Sequence, residues 1–435
     1  MLDMKWVREH AEEVRAAVRN KGIRLSVDEL LARDEERRRL KRDTDVLRER
    51  RNRLSNEIGR LMGDKRRDEA QAIRSETKTV NAKLAELEAE LRDSEERFGV
   101  LYELVPNVVS PDSPIGRSDE DNVELKRVGE LPAYPFEPRD HMELGELHGL
   151  IDVPRGVKTG GSRHYYLKGA GALLHRAVQQ LALDLLLERG FELLEVPLMV
   201  REEAMSHTGF FPLGRDQAYR LDGIDGYMAG TSEVPLMMYY SGEIVEAETP
   251  IRLAAASMCF RSEVGSAGRD VRGLYRVHQF AKVEQVVICK ADPAVSEAIL
   301  QEITANAELL LQKLELPYRQ MAVCTGDMSQ KTYKQYDLET WMPSRAAYGE
   351  THSSSNLHDF QARRANIRYR DEDGTLRYCH TLNNTAVASP RILIPLLENH
   401  QREDGSIYIP EALQPYMNGL TELRPPCEPQ EEAEA

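Results

Sequence analysis

The apolar positions divide the chain into two kinds of segment. Leu40, Leu47, Leu54 and Leu61 recur every seven residues, and Ile73, Val80 and Leu87 repeat with the same step. Leu84, Leu91 and Phe98 interleave with the second series at spacings of four and three. Residues 31–100 contain no proline, and only Gly59, Gly63 and Gly99 interrupt the helix formers. A seven-residue repeat keeps one seam of a helix facing a partner, so the pattern predicts two long helices packed as an antiparallel coiled coil. The turn is expected near Gly63-Asp64-Lys65-Arg66-Arg67-Asp68. Helices of about 30–37 residues would run ~45–55 Å.

Beyond this hairpin the pattern changes. Residues 105–122, rich in Pro, Ser and Asp, read as a linker. From residue 123 the chain is mixed. Residues 173–190 are apolar at helical spacing and stop at Gly190, and FELLEVPLMV reads as a strand interrupted at Pro197. VEQVVIC (283–289) and RQMAVCTG (319–326) are further strand candidates. The expected organisation is an N-terminal domain 1–104, a linker 105–122, an α+β domain 123–418 and a disordered acidic tail 419–435.

The 435 residues carry 58 Lys and Arg against 73 Asp and Glu, a net charge of −15, which argues against a nonspecific nucleic-acid binder. No apolar run approaches the ~18–20 residues that span a bilayer. The start, MLDMKWVREHAEEV, has acidic residues where a signal peptide has an apolar core. Cys259, Cys289, Cys324, Cys379 and Cys427 are scattered without a CxxC, and no HExxH occurs, so neither a disulfide framework nor a protein-bound zinc is expected. These features predict a cytoplasmic protein with no membrane segment.

Charge is uneven within the hairpin. Residues 31–67 hold 14 basic and 8 acidic side chains, and residues 68–100 hold 5 and 9. Charge alone favours two solvated helices attracting each other, over a basic helix presented to a phosphate backbone.

Familiar nucleotide signals fail. Gly169-Ala170-Gly171 begins a dinucleotide fingerprint, but Leu174 stands at the third glycine position, and there is no Walker A sequence. The informative stretch is FRSEVGSAGRDVRGLYRVHQF, residues 260–280. A strand–loop–strand would bring Arg261 near Phe280, a guanidinium fork for phosphate beside a ring that can stack on a base. A charged surface hairpin is the alternative, made less attractive by so many Arg among small residues.

This stretch resembles motif 2 of the class II aminoacyl-tRNA synthetases in their seryl form. Other segments agree. Gly230-Thr231-Ser232-Glu233 resembles the family's serine-binding loop, and Lys282-Val283-Glu284-Gln285 follows motif 2. Glu350-Thr351-His352-Ser353-Ser354-Ser355 stands at the metal and nucleotide segment, followed by Phe360-Gln361-Ala362-Arg363-Arg364. Thr381-Leu382-Asn383-Asn384-Thr385 through Arg391 resembles motif 3, Pro197 the motif 1 proline, and the hairpin the tRNA-binding arm. The resemblance covers residues 1–418. Two departures stand out. Thr351-His352-Ser353 replaces the frequent Ile-Ser-Ser, and Asn384-Thr385 replaces Gly-Ser or Gly-Thr, which keeps the hydroxyl.

The resemblance implies an antiparallel class II sheet flanked by helices, with a coiled-coil arm. It implies a homodimer with each arm reaching tRNA across the dimer. It also implies serine activation by ATP to seryl-adenylate, then transfer to a serine tRNA and, where one exists, a selenocysteine tRNA. The implied catalytic residues are Arg261, Glu350 and Arg391. Arg261 would bridge the serine carboxylate and the α-phosphate. Thr231 and Glu233 would hold the ammonium, Glu284 the ammonium or hydroxyl, and Thr385 the hydroxyl, with Ser232 and Asn383 in the same pocket. For ATP, Glu263 would accept from the adenine amino group, Val277 line the nucleotide, Phe280 and Arg391 sandwich the base and Arg276 meet the γ-phosphate. Ser262, Thr351 and His352 would complete the ATP site. Mg2+ would be held by Glu350 and Ser353. A ligase that loads a carrier protein, and a non-catalytic synthetase-like interaction protein, are the competing functions. The intact arm argues against the first, and retention of Arg261, Glu263, Phe280, Glu284, Glu350 and Arg391 against the second.

Overall fold

The seven-residue step folds as predicted. Helices α1 (Met4–Glu9) and α2 (Ala11–Asn20) precede α3 (Val27–Gly63) and α4 (Arg67–Glu103), the last two being 37 residues each and thus ~55 Å long. The Ser26 side chain caps α3 by accepting from Glu29 N, with Asp28 and Glu29 in the first turn. Leu40, Leu54 and Leu61 are buried in the seam with Val80, Leu84, Leu91 and Phe98, whereas Leu47, Ile73 and Leu87 are half-buried. Arg48 pairs with Glu88 at 2.9 Å and Arg50 with Glu76 at 2.5 Å across the hairpin. Below them, buried Asp34 accepts from Arg8 and Arg37, each at 2.7 Å.

The computed structural model describes residues 1–265 and 273–426. These fall into two units, one of Asp3–Arg19 and Ile23–Val105, the other of Met1–Leu2, Asn20–Gly22 and the chain from Pro106. Residues 266–272 of the arginine-rich stretch, with Arg269 and Arg272, and residues 427–435 of the expected tail lie outside the described residues.

The second unit is built on an eight-stranded sheet. Its order is Val123–Val128, Tyr318–Ala322, Lys334–Met342, Ala347–Asn356, His380–Ser389, Gln279–Cys289, Ile251–Phe260 and Glu192–Leu193. Every pairing is antiparallel except the last. Its helices are α5 (His141–Leu147), α6 (Val153–Gly160), α7 (Ala170–Glu188), α8 (Glu202–His207), α9 (Glu233–Met238), α10 (Pro293–Lys313), α11 (Phe360–Ala365) and α12 (Leu393–Asn399). Leu174, Val178 and Leu181 of α7 and Leu300, Ile303 and Leu310 of α10 pack with Val283, Val287 and Leu382 of the sheet. Val286 and Ile288 instead pack with Leu236 and Ala362. Burial on both faces explains why residues 286–289 are apolar without alternation.

Three expectations gain detail. The expected linker is anchored near its start: Asn107 is buried, and its amide donates to Lys331 O at 3.0 Å and Leu357 O at 2.8 Å. Polar, proline-rich sequence there supplies hydrogen bonds rather than freedom. The 191–200 segment is interrupted around Pro197 and leaves two short strands in different sheets: Glu192–Leu193 lies parallel to Leu253–Ala254, and Met199–Val200 pairs with Tyr227–Met228. Glu422–Leu423, inside the expected tail, pairs with Ile407–Tyr408 and buries Leu423. Among the described residues no helix is long and apolar enough to cross a membrane.

Candidate active site

The strand hairpin of Ile251–Phe260 and Gln279–Cys289 carries the motif's two ends. Cys259 lies opposite Phe280 and Phe260 opposite Gln279, so the next residue, Arg261, sits over the Phe280 ring with 5.3 Å from guanidinium to centroid. Arg261 Nε also donates to Gly230 O at 3.2 Å, which orients the fork. Both residues line a cavity of about 310 Å3 open to solvent.

One side of the cavity is a pocket of buried charge. Glu233, at the start of α9, is 5% exposed. Its Oε1 accepts from Lys331 Nζ at 2.5 Å, Gln361 Nε2 at 2.7 Å and Asn383 Nδ2 at 2.8 Å. Glu284 is 1% exposed and pairs with Lys282 Nζ at 2.7 Å, with Thr385 Oγ1 at 3.4 Å. Burial raises the Glu284 pKa, against the pull of the Lys282 ammonium. Burial likewise lowers that of Lys331, against the pull of Glu233. Thr231, Glu233, Glu284, Asn383 and Thr385 all line the cavity. Ser232 does not: it is wholly buried.

The other side is built from the ends of three segments. Glu263, at φ 51°, turns the chain as it leaves the strand, and its carboxylate lies 3.3 Å from Arg276. Arg391 donates from Nε to Tyr275 O at 3.1 Å and from Nη1 to Glu350 O at 3.1 Å, stacking over Tyr275 at 4.4 Å. Val277, Thr351, His352 and Ser353 complete this wall. Ser262 is absent from it and donates its hydroxyl to Asp216 O at 2.6 Å. His352 is 1% exposed, with Nδ1 2.8 Å from Thr351 Oγ1, and burial pushes its pKa down to about 3, so the ring is neutral.

Glu350 and Ser353 share the strand Ala347–Asn356 and face the cavity. Buried Asp337 stands opposite Ser353 on the neighbouring strand, and burial together with the Glu350 charge raises its pKa well above the carboxylate range. Glu350 and Ser353 supply hard oxygen donors, the kind a magnesium ion takes alongside water and phosphate. Among the described residues no group of three or more His, Cys, Asp or Glu could hold a metal ion.

The sequence reading missed Lys331, Gln361 and Tyr275 as site residues. Lys331 sits in a loop fixed by Lys21, whose ammonium donates to the carbonyls of Ser329, Gln330 and Thr332 at 3.1, 3.2 and 2.5 Å. Burial lowers the Lys21 pKa to about 7. No local spacing signals either lysine.

Comparisons with known proteins find matches along nearly the whole chain. Residues 1–109 match the seryl-tRNA synthetase N-terminal domain, and residues 222–400 the tRNA synthetase class II core domain (G, H, P, S and T). A serine--tRNA ligase of Deinococcus radiodurans is 46% identical over 98% of this chain and 100% of its own. The seryl-tRNA synthetase of Pyrococcus horikoshii, solved complexed with ATP, superposes with a TM-score of 0.89 at 35% identity, covering 98% of this chain and 100% of that one. The cytoplasmic serine-tRNA ligase of Naegleria fowleri, solved with AMP, gives 0.83 at 26% identity over 98% and 99%. With its helical hairpin, its class II sheet and its match along nearly the whole length of these enzymes, the chain belongs to the seryl-tRNA synthetase family.

Proposed function

We propose that the protein is a serine--tRNA ligase working in the cytoplasm as a homodimer. Serine and ATP form seryl-adenylate and pyrophosphate, and the seryl group then passes to the 3′ end of a serine tRNA held by the α3–α4 hairpin. The observation that carries the reading is the position of Arg261: over Phe280, and on the same cavity as buried Glu233 and Glu284 and the Arg276–Arg391 wall.

In the first step the serine carboxylate attacks the α-phosphorus and the pyrophosphate leaves. Two anions must meet, so positioning and charge neutralisation supply most of the help. The Arg261 fork holds the carboxylate and the α-phosphate together. The adenine stacks on Phe280 under Arg391, its amino group facing Glu263, with Val277 beside it, and Arg276 swings from Glu263 to the γ-phosphate. Glu350 and Ser353 would hold Mg2+, which lowers the charge repulsion among the phosphates when bound. Thr231 and Glu233 take the serine ammonium, and Glu284 and Thr385 its hydroxyl. A pocket built around that hydroxyl rejects alanine, because buried polar groups would be left unpaired.

Aminoacylation of serine tRNA with serine, alanine and threonine as competing substrates tests the reading. Charging with serine alone is expected. Adenylate formation without transfer to tRNA would instead favour a carrier-protein ligase.

A further inference from the structure

One buried pair, His141 and Glu398, is not among the expected site residues. Glu398, on α12, is wholly buried. Its Oε1 accepts from His141 N at 3.0 Å, His141 Nδ1 at 2.9 Å and Ser344 Oγ at 2.8 Å, and its Oε2 from Ser344 N at 3.0 Å. His141 opens α5, and its Nε2 receives the backbone N–H of Leu274 at 3.3 Å. Because Nε2 accepts, Nδ1 carries the ring proton and donates it to the carboxylate. One tautomer is therefore fixed at both ends.

The segment docked in this way enters the cavity at once. Gly273, at φ 78°, passes so close that a Cβ there would lie 2.2 Å from His141 Nε2. Leu274 is wholly buried with Met342 and Ile394. Tyr275, Arg276 and Val277 then line the cavity, and Tyr275 O receives Arg391. Arg345, next to Ser344, stacks on the Tyr275 ring at 4.6 Å. Glu398 thus organises both supports of Tyr275: the Leu274 dock through His141, and the turn bearing Arg345 through Ser344.

We propose that His141 and Glu398 are positioning residues for ATP, setting through the Leu274 N–H the height of Tyr275–Val277 and, through Tyr275 O, the direction of Arg391. This rests on the reading that those residues hold the nucleotide. His141 and Glu398 bond to each other, to Leu274 and to Ser344, and to none of the residues assigned to serine, so the expected effect is selective for ATP.

Serine-dependent ATP–pyrophosphate exchange by the full chain tests it. His141→Phe, which keeps the ring shape and removes the acceptor, should raise the KM for ATP by about tenfold or more, with the KM for serine nearly unchanged. His141→Gln, which returns an oxygen acceptor, should recover much of the loss. Gly273→Ala leaves the His141–Glu398 pair intact but pushes the segment off the ring. It should reproduce the ATP-selective defect even if the His141 variants fold poorly. Equal rises in both KM values, or an unchanged ATP KM in Gly273→Ala, would overturn the proposal. Arg391→Ala separates the two layers. If it raises the ATP KM while His141→Phe and Gly273→Ala do not, only the positioning role fails. If Arg391→Ala leaves the ATP KM alone, the nucleotide reading fails and the positioning role with it.

Discussion

Lys331 places its ammonium 2.5 Å from Glu233 Oε1, inside the pocket assigned to an amino acid's own ammonium. The lysine is 7% exposed and lies 4.3 Å from the Phe210 ring centroid, so the pair is a desolvated one. Removing one partner of a buried pair leaves the other charge uncompensated. Lys331→Met is therefore expected to cost about 3 kcal/mol of stability. Serine should raise the melting temperature of this variant more than that of the parent, because its ammonium supplies the missing counter-charge. Thermal unfolding with and without serine measures this. Equal shifts would mean that Glu233 does not meet the substrate ammonium.

Arg261→Ala should remain folded and lose serine-dependent pyrophosphate exchange by about 10²–10³. Arg261→Lys should recover little, because a point charge cannot replace a fork that spans two anions. Exchange within a few-fold of the parent in either variant would remove Arg261 from its central role.

Excising residues 42–88 and closing the gap with a glycine–serine turn keeps the Asp34 cluster with Arg8 and Arg37 at the base of the hairpin. Pyrophosphate exchange should persist while tRNA charging collapses. Unimpaired charging would show that the basic face of α3 is only a solvated surface.

Glu350→Gln removes a carboxylate charge from the cavity but keeps an oxygen donor. It should raise the magnesium concentration needed for half-maximal exchange several-fold. An unchanged magnesium dependence would point to ligands other than Glu350.

A partly buried histidine stack is expected to make stability depend on acid pH. Tyr333, His358 and His380 stack at 3.7 and 4.4 Å between centroids. Burial lowers both histidines from 6.5 to about 4. Between those values the unfolded chain binds more protons than the folded one, so stability rises with pH across the window and falls as pH drops from 6.5 towards 4. His358→Asn suits the local φ of 48° and removes one such group. Urea unfolding at a series of pH values should then show an acid slope shallower by up to about 1.4 kcal/mol per pH unit. An identical slope would show that His358 titrates normally.

The comparison of sequence with structure separates local from distant information. The hairpin was legible because its signal is periodic and each helix packs on its immediate neighbour in the chain. Arg261 over Phe280 was legible because one strand pair bounds both. The anchoring of the connection at 105–122 has no sequence signal, because a polar, proline-rich composition is the same whether its hydrogen bonds go to water or, as for Asn107, to buried carbonyls. Ser232 and Ser262 belong to the motif segments that carry Glu233 and Glu263. In an extended or capping segment, however, neighbouring side chains point in different directions.

The sequence by itself determined the periodic arm, the order of the motifs and the chemistry of the residues that motif context singles out. Only the tertiary structure decided which charges meet. Lys331 reaches Glu233 across 98 residues, and His141 reaches Glu398 across 257. A buried charge has no local pattern. Its partner is whichever donor the sheet and its covering helices bring within hydrogen-bond distance, and that is a property of packing rather than of spacing along the chain.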